Sequence, residues 1–461
     1  MYNHSTAFTL VATAALTTLP GLANAGGFGL SEHGVSGLGN AYAGAASVAA
    51  DSSTVWNNPA GMLQLKDREL GVGLHLLGVD NTIIDQGTTF NTALGGGLID
   101  GPETASEDGL TVIPNIYYSA PINDDLVYGF AIDVPFGSGS DYGTDWRGRY
   151  SATESSLAII DFNPTIAYRV SDFFHIGGGI SLQYADATLA NAVDSGAVCF
   201  GLSPDPASCV NAGLTPGNIE NDSQAEINGD SFALGFNLGV MIIPADHTRI
   251  GIAYRSAVEH ELEGTGTFDN SPAFQGFLTG AGVPAFVTGP GSTELETPQS
   301  IAFSVAHTLQ AANRWQLLGD VTWTDWTVFE ELLIQFDNPA QPDVLQVQDW
   351  ETAIRVSAGF NFQASPKFII RGGVAFDESP IPSAERRTAR IPGSDRTWWS
   401  VGLGYKPFEQ LSFDFGLTFI TLDDSAINNS FPESGPSASF VRGIVESSAT
   451  IASAQLNWKI K

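Results

Sequence analysis

The sequence is poor in positive charge, with 19 Lys and Arg against 50 Asp and Glu in 461 residues, a formal net charge of −31. Nucleic-acid binding is excluded as the main function, because it requires a basic surface. Charged residues of both signs make up only 15% of the chain, whereas soluble proteins carry roughly 25%. Disorder is also excluded, since 43% of the residues are hydrophobic and 10% are aromatic, and disordered chains lack both.

Long apolar runs are missing after the first 25 residues, so the body of the chain offers no candidate transmembrane helix. Residues 7–22 are apolar and small, and Ala23-Asn24-Ala25 fits the cleavage pattern of a secretory signal. We therefore predict a signal peptide over 1–25, although no Lys or Arg precedes the apolar stretch; a buried helix is the alternative. The mature protein is then exported.

Cysteine is nearly absent, with only Cys199 and Cys209 in the chain. In an exported protein such a pair, set in a Gly/Pro/Ser/Asp-rich stretch, is expected to form a disulfide within a loop. A metal site would need further ligands, and no histidine or other cysteine lies nearby. We predict no metal ion and no cofactor. Whether the acidic loops bind Ca²⁺ stays open, because their carboxylates lack a fixed ligand spacing.

What the chain does contain is period-2 alternation, which is typical of strands. In residues 412–419, for example, Phe413, Phe415, Leu417 and Phe419 share one face. Similar patterns predict about fourteen strands near 68–80, 109–120, 126–136, 156–170, 173–190, 226–243, 247–266, 293–309, 313–336, 347–364, 367–378, 396–406, 409–423 and 446–460. Many of these are longer than the usual 5–6 residues, as strands that cross a bilayer are.

The connections between these strands alternate between short turns and long acidic or Gly/Pro-rich loops. Short periplasmic turns and long outer loops are typical of outer-membrane barrels. We therefore predict an all-β fold: a transmembrane antiparallel β-barrel over residues 67–461. A soluble β-sandwich is the alternative, but it fits poorly with the signal peptide and the strand lengths.

Residues 26–66 differ from the rest, because they are rich in glycine and alanine and suit neither a lipid-facing strand nor a long helix. Irregular backbone at membrane depth is tolerated only inside protein or along a wet cavity. We predict that this segment is an N-terminal hatch, a plug inside the barrel lumen. A disordered periplasmic tail is the alternative, but it would leave Phe28, Leu30, Tyr42 and Trp56 in water.

The hatch carries the first motifs of a family resemblance, Gly27-Phe28-Gly29-Leu30 and Asn58-Pro59-Ala60. These and later stretches resemble the FadL family of outer-membrane transporters for long-chain fatty acids and hydrocarbons. The matching stretches occur in family order at 27–32, 36–44, 58–60, 146–150, 254–256, 297–300, 320–326, 371–380 and 391–399. Each stretch is a weak signal alone, but their order over nearly the whole mature chain is specific.

The resemblance implies capture of ligand at an outer apolar groove, transfer to a hatch-gated pocket and lateral exit through the barrel wall. It implies that Phe28 and Leu30 touch the ligand or plug its pocket. Asn58, Pro59 and Ala60 would shape the hatch near the wall opening.

The opening itself is expected in the third strand, at Pro135, Phe136 and Gly137. Proline cannot donate to the ladder, and both proline and glycine mark bulges or edges. An ordinary strand end is the alternative interpretation.

One departure from the family concerns the ligand headgroup. Fatty-acid members place basic residues in the strand that matches 183–189, where this chain has Asp186 and Thr188. An acid there would oppose a fatty carboxylate. The headgroup contact is then lost, or moved to Arg169, Arg255 or Arg371, or the ligand is neutral.

Uptake of long-chain fatty acids or similar hydrophobic molecules is thus the leading hypothesis, with neutral alkanes or monoaromatics as the alternative and a general porin less favoured. An enzyme is not expected, because none of the histidines belongs to a recognisable nucleophile motif. We expect a monomer in contact with outer-membrane lipid and lipopolysaccharide. The basic cluster Arg386, Arg387 and Arg390 is a candidate for lipopolysaccharide contact.

Overall fold

A computed structural model describes residues 26–432 and 439–461. The predicted signal peptide 1–25 lies outside the described residues. The α-helices are α1 (Val35–Leu38), α2 (Ala45–Val48), α3 (Thr54–Asn57), α4 (Ser195–Leu202), α5 (Pro206–Asn211) and α6 (Pro272–Ala281). Short 3-10 turns are formed by Pro59–Gln64, Thr92–Leu94, Ile219–Asn221, Gln310–Ala312 and Trp326–Val328. No helix among the described residues is both long and apolar enough to cross a membrane.

The strands make up most of the remaining chain. They are β1 (Arg68–Asp85), β2 (Thr89–Phe90), β3 (Thr104–Asn123), β4 (Leu126–Asp141), β5 (Glu154–Ser171), β6 (Phe174–Val193), β7 (Ser223–Ala245), β8 (Thr248–Arg255), β9 (Val258–Asp269), β10 (Gly289–Thr297), β11 (Ser300–Thr308), β12 (Trp315–Thr324), β13 (Glu331–Phe336), β14 (Val344–Val347), β15 (Ala353–Ser365), β16 (Phe368–Asp377), β17 (Arg396–Phe408), β18 (Leu411–Leu422), β19 (Ser425–Phe431) and β20 (Ser439–Ile460).

These strands form one closed antiparallel barrel, in which β1 pairs with β20 from Arg68–Ile460 to Asp85–Gly443. Five wall strands are interrupted, so that two segments share one position: β8 and β9, β10 and β11, β12 and β13, β14 and β15, and β18 and β19. Counting each such pair once and leaving out the short β2, the described residues build fourteen wall strands. The predicted fourteen-stranded barrel is confirmed.

The two faces of each wall strand differ in polarity, because successive side chains point to opposite sides. In β6, Ile176, Ile180 and Leu182 are exposed, whereas Ser181 and Gln183 are buried on the other face. The exposed face is apolar because it is the lipid face of a transmembrane barrel, and the polar face lines the lumen.

Residues 26–66 lie against the inner wall, and most of their side chains are buried. Wall glycines make room for the backbone of this segment. A Cβ at Gly251 would overlap the carbonyl oxygen of Ala46, and one at Gly373 would overlap that of Asn40. The wall and the segment inside it are therefore fitted to each other at backbone level.

The outer loops are joined by the fully buried side chain of Arg149. Its Nε donates to Asp222 Oδ2 at 2.6 Å, and its Nη1 donates to the carbonyl of Asp100 at 2.6 Å. Cys199 and Cys209 form a disulfide that links α4 to α5. Burial raises the pKa of the nearby Asp194 to about 7, although its carboxylate accepts hydrogen bonds from the backbone N–H groups of Ala197 and Gly217.

The loop that carries Arg386, Arg387 and Arg390 does not present them as one free basic patch. Arg390 is buried and donates to the carbonyls of Glu154 and Ala190 at the outer ends of β5 and β6. The expectation that Arg390 contacts lipopolysaccharide is wrong, because its side chain is buried and its guanidinium is bonded to β5 and β6. Arg386 lies at the surface and pairs with Asp349 at 2.8 Å.

Candidate ligand site and wall opening

The barrel wall is incomplete between β3 and β4. Their pairing stops at Ile116–Ile132, although β3 runs on from Thr104 and β4 runs on to Asp141. At this point β4 is irregular, with a register shift between Asp133 and Phe136 in its pairing with β5. Pro135 lies in the shift, as expected of a residue that has no N–H to give the ladder.

The start of the hatch pairs with β4 at the position that β3 leaves open. Leu30 N donates to Pro135 O at 2.9 Å, and Gly137 N donates to Phe28 O at 2.9 Å. These bonds flank an antiparallel bridge between Gly29 and Phe136. The structure thus brings together the predicted hatch residues Phe28 and Leu30 and the predicted kink residues Pro135, Phe136 and Gly137.

Phe28 is enclosed by four aromatic side chains, which we call the aromatic box. Its ring centroid lies 4.7 Å from that of Trp326, 5.6 Å from Phe329, 5.8 Å from Phe136 and 5.9 Å from Trp350. Phe28 is only 1% exposed. The edge-on ring arrangements are favourable for aromatic pairs, so the box is already shaped to hold one apolar group.

A cavity of about 220 Å³ adjoins the aromatic box. Its lining combines apolar groups from the hatch and the wall with polar side chains, among them Leu30, Tyr42, Trp56, Phe136, Ser181, Gln183, Arg255, Asp320, Trp326, Arg355, Asp377 and Arg396. An apolar lining with a few converging polar groups is the usual character of a small-molecule site.

The cavity arginines are bonded in two different ways. Arg396 pairs with Asp377 at 2.7 Å. Arg255 Nη2 donates to the carbonyl of Trp56 at 2.7 Å, and Arg355 Nη2 donates to the carbonyl of Ala41 at 2.9 Å. Two of the three cations are thus bonded to the hatch backbone.

A polar cluster closes the lower corner of the wall opening around Asp133, which is fully buried. Its carboxylate accepts hydrogen bonds from Tyr117 Oη at 2.6 Å and Asn115 Nδ2 at 3.0 Å, and it lies 3.0 Å from His33 Nδ1 of the hatch. Asp133 therefore connects β3, β4 and the hatch at the point where the two wall strands separate.

Asn58, Pro59 and Ala60 do not lie beside the wall opening. Asn58 Nδ2 donates to the carbonyls of Ala46 at 2.7 Å and Val240 at 2.9 Å, and its Oδ1 accepts from Ala60 N at 3.1 Å. Pro59 and Ala60 pack on Gly177 of β6. The expected position is wrong, because the 3-10 turn that follows Asn58 directs this stretch towards β6 and β7.

Asp186 and Thr188 are also not in the cavity. They share the outward parity of Ile180 and Leu182 in β6, whereas Ser181 and Gln183 face inward. Asp186 instead lies opposite Asp230 of β7. The predicted headgroup role of this pair is wrong, because the two-residue period of a strand places both side chains outside the lumen.

The three arginines considered for the headgroup contact lie in different places. Arg255 lines the cavity. Arg169 lies near the short turn before β6 and pairs with Asp125 at 3.6 Å, and Arg371 is buried against Asp414 at 2.7 Å. Only Arg255 of the three is therefore placed to meet a ligand in the cavity.

Of the four aromatic residues around Phe28, only Phe136 is predicted from the sequence, and no role is predicted for Arg355. Trp326 and Arg396 lie in family-like stretches without a predicted role. Arg355 has the same parity in β15 as Ala353 and Ser357, which face inward. That parity marks Arg355 as a lumen residue. Its contact with the hatch, however, depends on the register of the strands in the barrel. No three His, Cys, Asp or Glu side chains of the described residues converge as a metal site would require.

A closed barrel with an apolar outer face, a filled lumen and an internal ligand-sized cavity defines an outer-membrane transport protein. Residues 16–460 match the family described as "Outer membrane protein transport protein (OMPP1/FadL/TodX)", and the chain belongs to this family. It is a family of transport proteins rather than enzymes, so the chain is an outer-membrane transport protein.

Two curated relatives cover most of the chain. A "Long-chain fatty acid transport protein" of Escherichia coli is 28% identical over 399 residues, which are 86% of this chain and 86% of the relative. "Outer membrane protein P1" of Haemophilus influenzae is 28% identical over 428 residues, covering 89% of each.

Solved structures show the same fold. A Pseudomonas aeruginosa FadL homologue has a TM-score of 0.82 at 21% identity, over 94% of this chain and 100% of that chain. The Pseudomonas putida toluene transporter TodX has a TM-score of 0.62 at 14% identity, over 89% and 94%.

Proposed function

We propose that the protein takes up long-chain fatty acids, and that residues 26–66 are the movable hatch that controls their passage. The observation that carries this proposal is the aromatic box beside a cavity that contains Arg255 and Arg355. Such a site offers an apolar place for an alkyl chain and cations for a carboxylate. The curated relative named as a long-chain fatty acid transport protein supports the same substrate class.

Neutral hydrocarbons are the second candidate, because the aromatic box alone would also accept an uncharged ring or chain. A structural neighbour titled a toluene transporter has the same fold. The arginines favour the acid, since they would contribute nothing to binding of an alkane. A general porin fits less well, because the hatch fills the lumen.

The proposed route begins in the outer loops, where α4 and α6 build an apolar cluster around Cys199, Phe274 and Leu278. Half-buried Phe277 and Phe286 border this cluster and provide apolar surface for first capture. The ligand then enters the cavity, displaces the start of the hatch and leaves between β3 and β4. Lateral exit keeps the alkyl chain out of water. Each CH₂ group that stays buried along this route avoids a free-energy cost of roughly 0.8 kcal/mol.

We propose a monomeric transporter, because one chain closes the barrel through β1 and β20. Its exposed apolar wall faces outer-membrane lipid, and its outer loops face lipopolysaccharide. Neither contact requires a second copy of the chain.

The substrate class can be tested by uptake in a bacterium that lacks its own fatty-acid uptake protein. Cells that express the chain should accumulate labelled palmitate, and cells with the empty plasmid should not. Methyl palmitate serves as the uncharged ligand of equal chain length. A folded, membrane-inserted protein that admits toluene but not palmitate would overturn the fatty-acid proposal in favour of the hydrocarbon alternative.

Replacing Phe28 with alanine is expected to tighten palmitate binding, because the ligand then no longer competes with a buried ring for the aromatic box. Burial of a phenylalanine is worth about 1.5–3 kcal/mol, so Kd should fall by about 10- to 100-fold. Fluorescence of Trp326 and Trp350 during titration reports the binding. Phe28→Leu is the matched control and should change Kd much less. Equal or weaker binding by Phe28→Ala would show that Phe28 does not occupy the ligand position.

A further inference from the structure

Arg255 and Arg355, which are half-buried, differ from the buried lumen arginines Arg371 and Arg396 in their partners. Arg371 and Arg396 each pair with a carboxylate at 2.7 Å. Within 26–432 and 439–461, neither Arg255 nor Arg355 has a carboxylate within 4.0 Å. A cation in a site of low polarity is stabilised best by an anion with good geometry, so both guanidinium groups are incompletely compensated.

The acidic side chains around these arginines have other partners. Asp377 lies opposite Arg355 in the pairing of β15 with β16, but it pairs with Arg396. Asp133 accepts from Asn115 and Tyr117. Asp161 accepts from Ser181 and Gln183, and Asp320 accepts from Ser304 and Thr322. The carboxylates of the described residues around the cavity thus make their polar contacts with other groups than Arg255 and Arg355.

The hydrogen-bond acceptors of both arginines belong to the hatch. Arg255 donates to the carbonyl of Trp56, and its guanidinium carbon lies 3.2 Å from the centroid of the Trp56 ring. Arg355 donates to the carbonyl of Ala41 and lies 5.1 Å from the Trp398 ring, while its Nε is buried without a hydrogen-bond partner. These two contacts fasten the hatch to two places on the wall, β8 and β15, which are separated by β11 and β12.

We propose that Arg255 and Arg355 make release of the hatch dependent on the ligand carboxylate. A carboxylate in the cavity competes with the carbonyls of Trp56 and Ala41 for the same N–H donors. A carboxylate brings a full negative charge and two oxygens that can accept from one guanidinium in parallel, which a neutral backbone carbonyl does not, so the arginines exchange the hatch for the ligand. The hatch loses two attachments in the same step in which the acid is bound.

This proposal rests on fatty-acid transport as the proposed function and adds a basis for selectivity. An uncharged chain can fill the aromatic box but has no group that removes the arginines from the hatch. A neutral ligand can therefore bind without opening the gate. A ligand shifts the equilibrium between the attached and the released hatch only if it binds the released state more tightly. Arg255 and Arg355 are thus specificity-determining residues that act at the gate.

Hatch release can be measured as a distance between two spin labels in the full-length protein in lipid nanodiscs. The labels are placed at Ala50→Cys in the hatch and Asp246→Cys in the short turn between β7 and β8, both of which are exposed. The native cysteines do not take up label, because they form the Cys199–Cys209 disulfide. Palmitate and methyl palmitate are the two probes, and calorimetry on the same samples records whether each is bound.

Palmitate should shift the distance distribution to longer and broader values, whereas bound methyl palmitate should leave it unchanged. Arg355→Gln and Arg255→Gln should show the shifted distribution without ligand and no further response, and Arg355→Lys should restore the response. Arg169→Gln, at the rim and outside the cavity, is the matched control and should behave as the parent protein. Heat-modifiable migration on gels verifies that each variant retains the barrel.

An equal shift with palmitate and methyl palmitate would overturn the proposal, as would bound palmitate that leaves the distance unchanged. A parent protein that neither binds nor takes up palmitate would instead contradict the proposed function. The two failures are therefore distinguishable.

Discussion

Replacing Gly251 or Gly373 with valine is expected to displace the hatch and turn the closed barrel into an open pore. A side chain at either position would overlap a hatch carbonyl, that of Ala46 or Asn40. Overpacking of a fitted contact costs about 1–3 kcal/mol or more, and backbone atoms held by further bonds cannot rotate away. The barrel has its own ladder from β1 to β20, so we expect it to persist while the hatch leaves.

Single-channel conductance in planar bilayers measures this effect directly. The valine variants should show stable open steps, and cells that express them should become sensitive to large antibiotics. Gly319→Val is the matched control, because Gly319 lies on the outward face of β12 and a Cβ there meets no atom within 4 Å. Closed, non-conducting barrels in both inward variants would show that the hatch backbone tolerates the added side chain.

The architecture could be read from the sequence because alternation survives in every wall strand. Each of the fourteen predicted strand regions overlaps a wall strand of the structure. The boundaries were less accurate at the outer end: β1 extends to Asp85, β3 begins at Thr104 and β20 begins at Ser439. Above the bilayer both faces of a strand meet polar surroundings, so the alternation that marks a strand fades and the stretch resembles a loop.

Interruptions of the wall were also not foreseen. One predicted strand covered 313–336, whereas the chain leaves the wall at Trp326–Val328 between β12 and β13. This break directs Trp326 inward onto Phe28. An aromatic residue in a straight strand and one in such a break have similar sequence surroundings. The break at Trp326 therefore cannot be predicted without knowing how the hatch packs against the wall.

The site was predictable in part. The resemblance named Phe28, Leu30 and the 135–137 kink, and the structure places them in contact; their roles in transport stay predictions. Asp186 lies on the outer face of β6. The sequence already indicates this, because Asp186 has the same parity as the apolar residues Ile180 and Leu182. The contact of Arg355 with the hatch cannot be predicted from the sequence. Residues that are distant in sequence meet only through the register of the barrel strands.

Locking the start of the hatch to the kinked strand is expected to abolish uptake. Gly29 and Phe136 face each other in an antiparallel bridge whose flanking bonds are Leu30 N to Pro135 O and Gly137 N to Phe28 O. Such pairs have Cα atoms about 4.5 Å apart, which is within the range of a disulfide. A Cβ at Gly29 would lie 3.3 Å from the carbonyl oxygen of Gly26, so a cysteine there requires that carbonyl to shift by a few tenths of an ångström. In the proposed route the ligand passes only when the hatch moves, and the lock prevents that movement.

Labelled palmitate uptake by the Gly29→Cys and Phe136→Cys double variant, oxidised and then reduced, tests the central claim most directly. Cys199→Ser and Cys209→Ser are included so that the reductant acts only on the new bond, and the two single variants serve as controls. The account predicts that oxidation abolishes uptake, because the gating movement is blocked, and that reduction restores it to the level of the single variants. Equal uptake by the oxidised and reduced protein, with the disulfide verified by mass spectrometry, would contradict it.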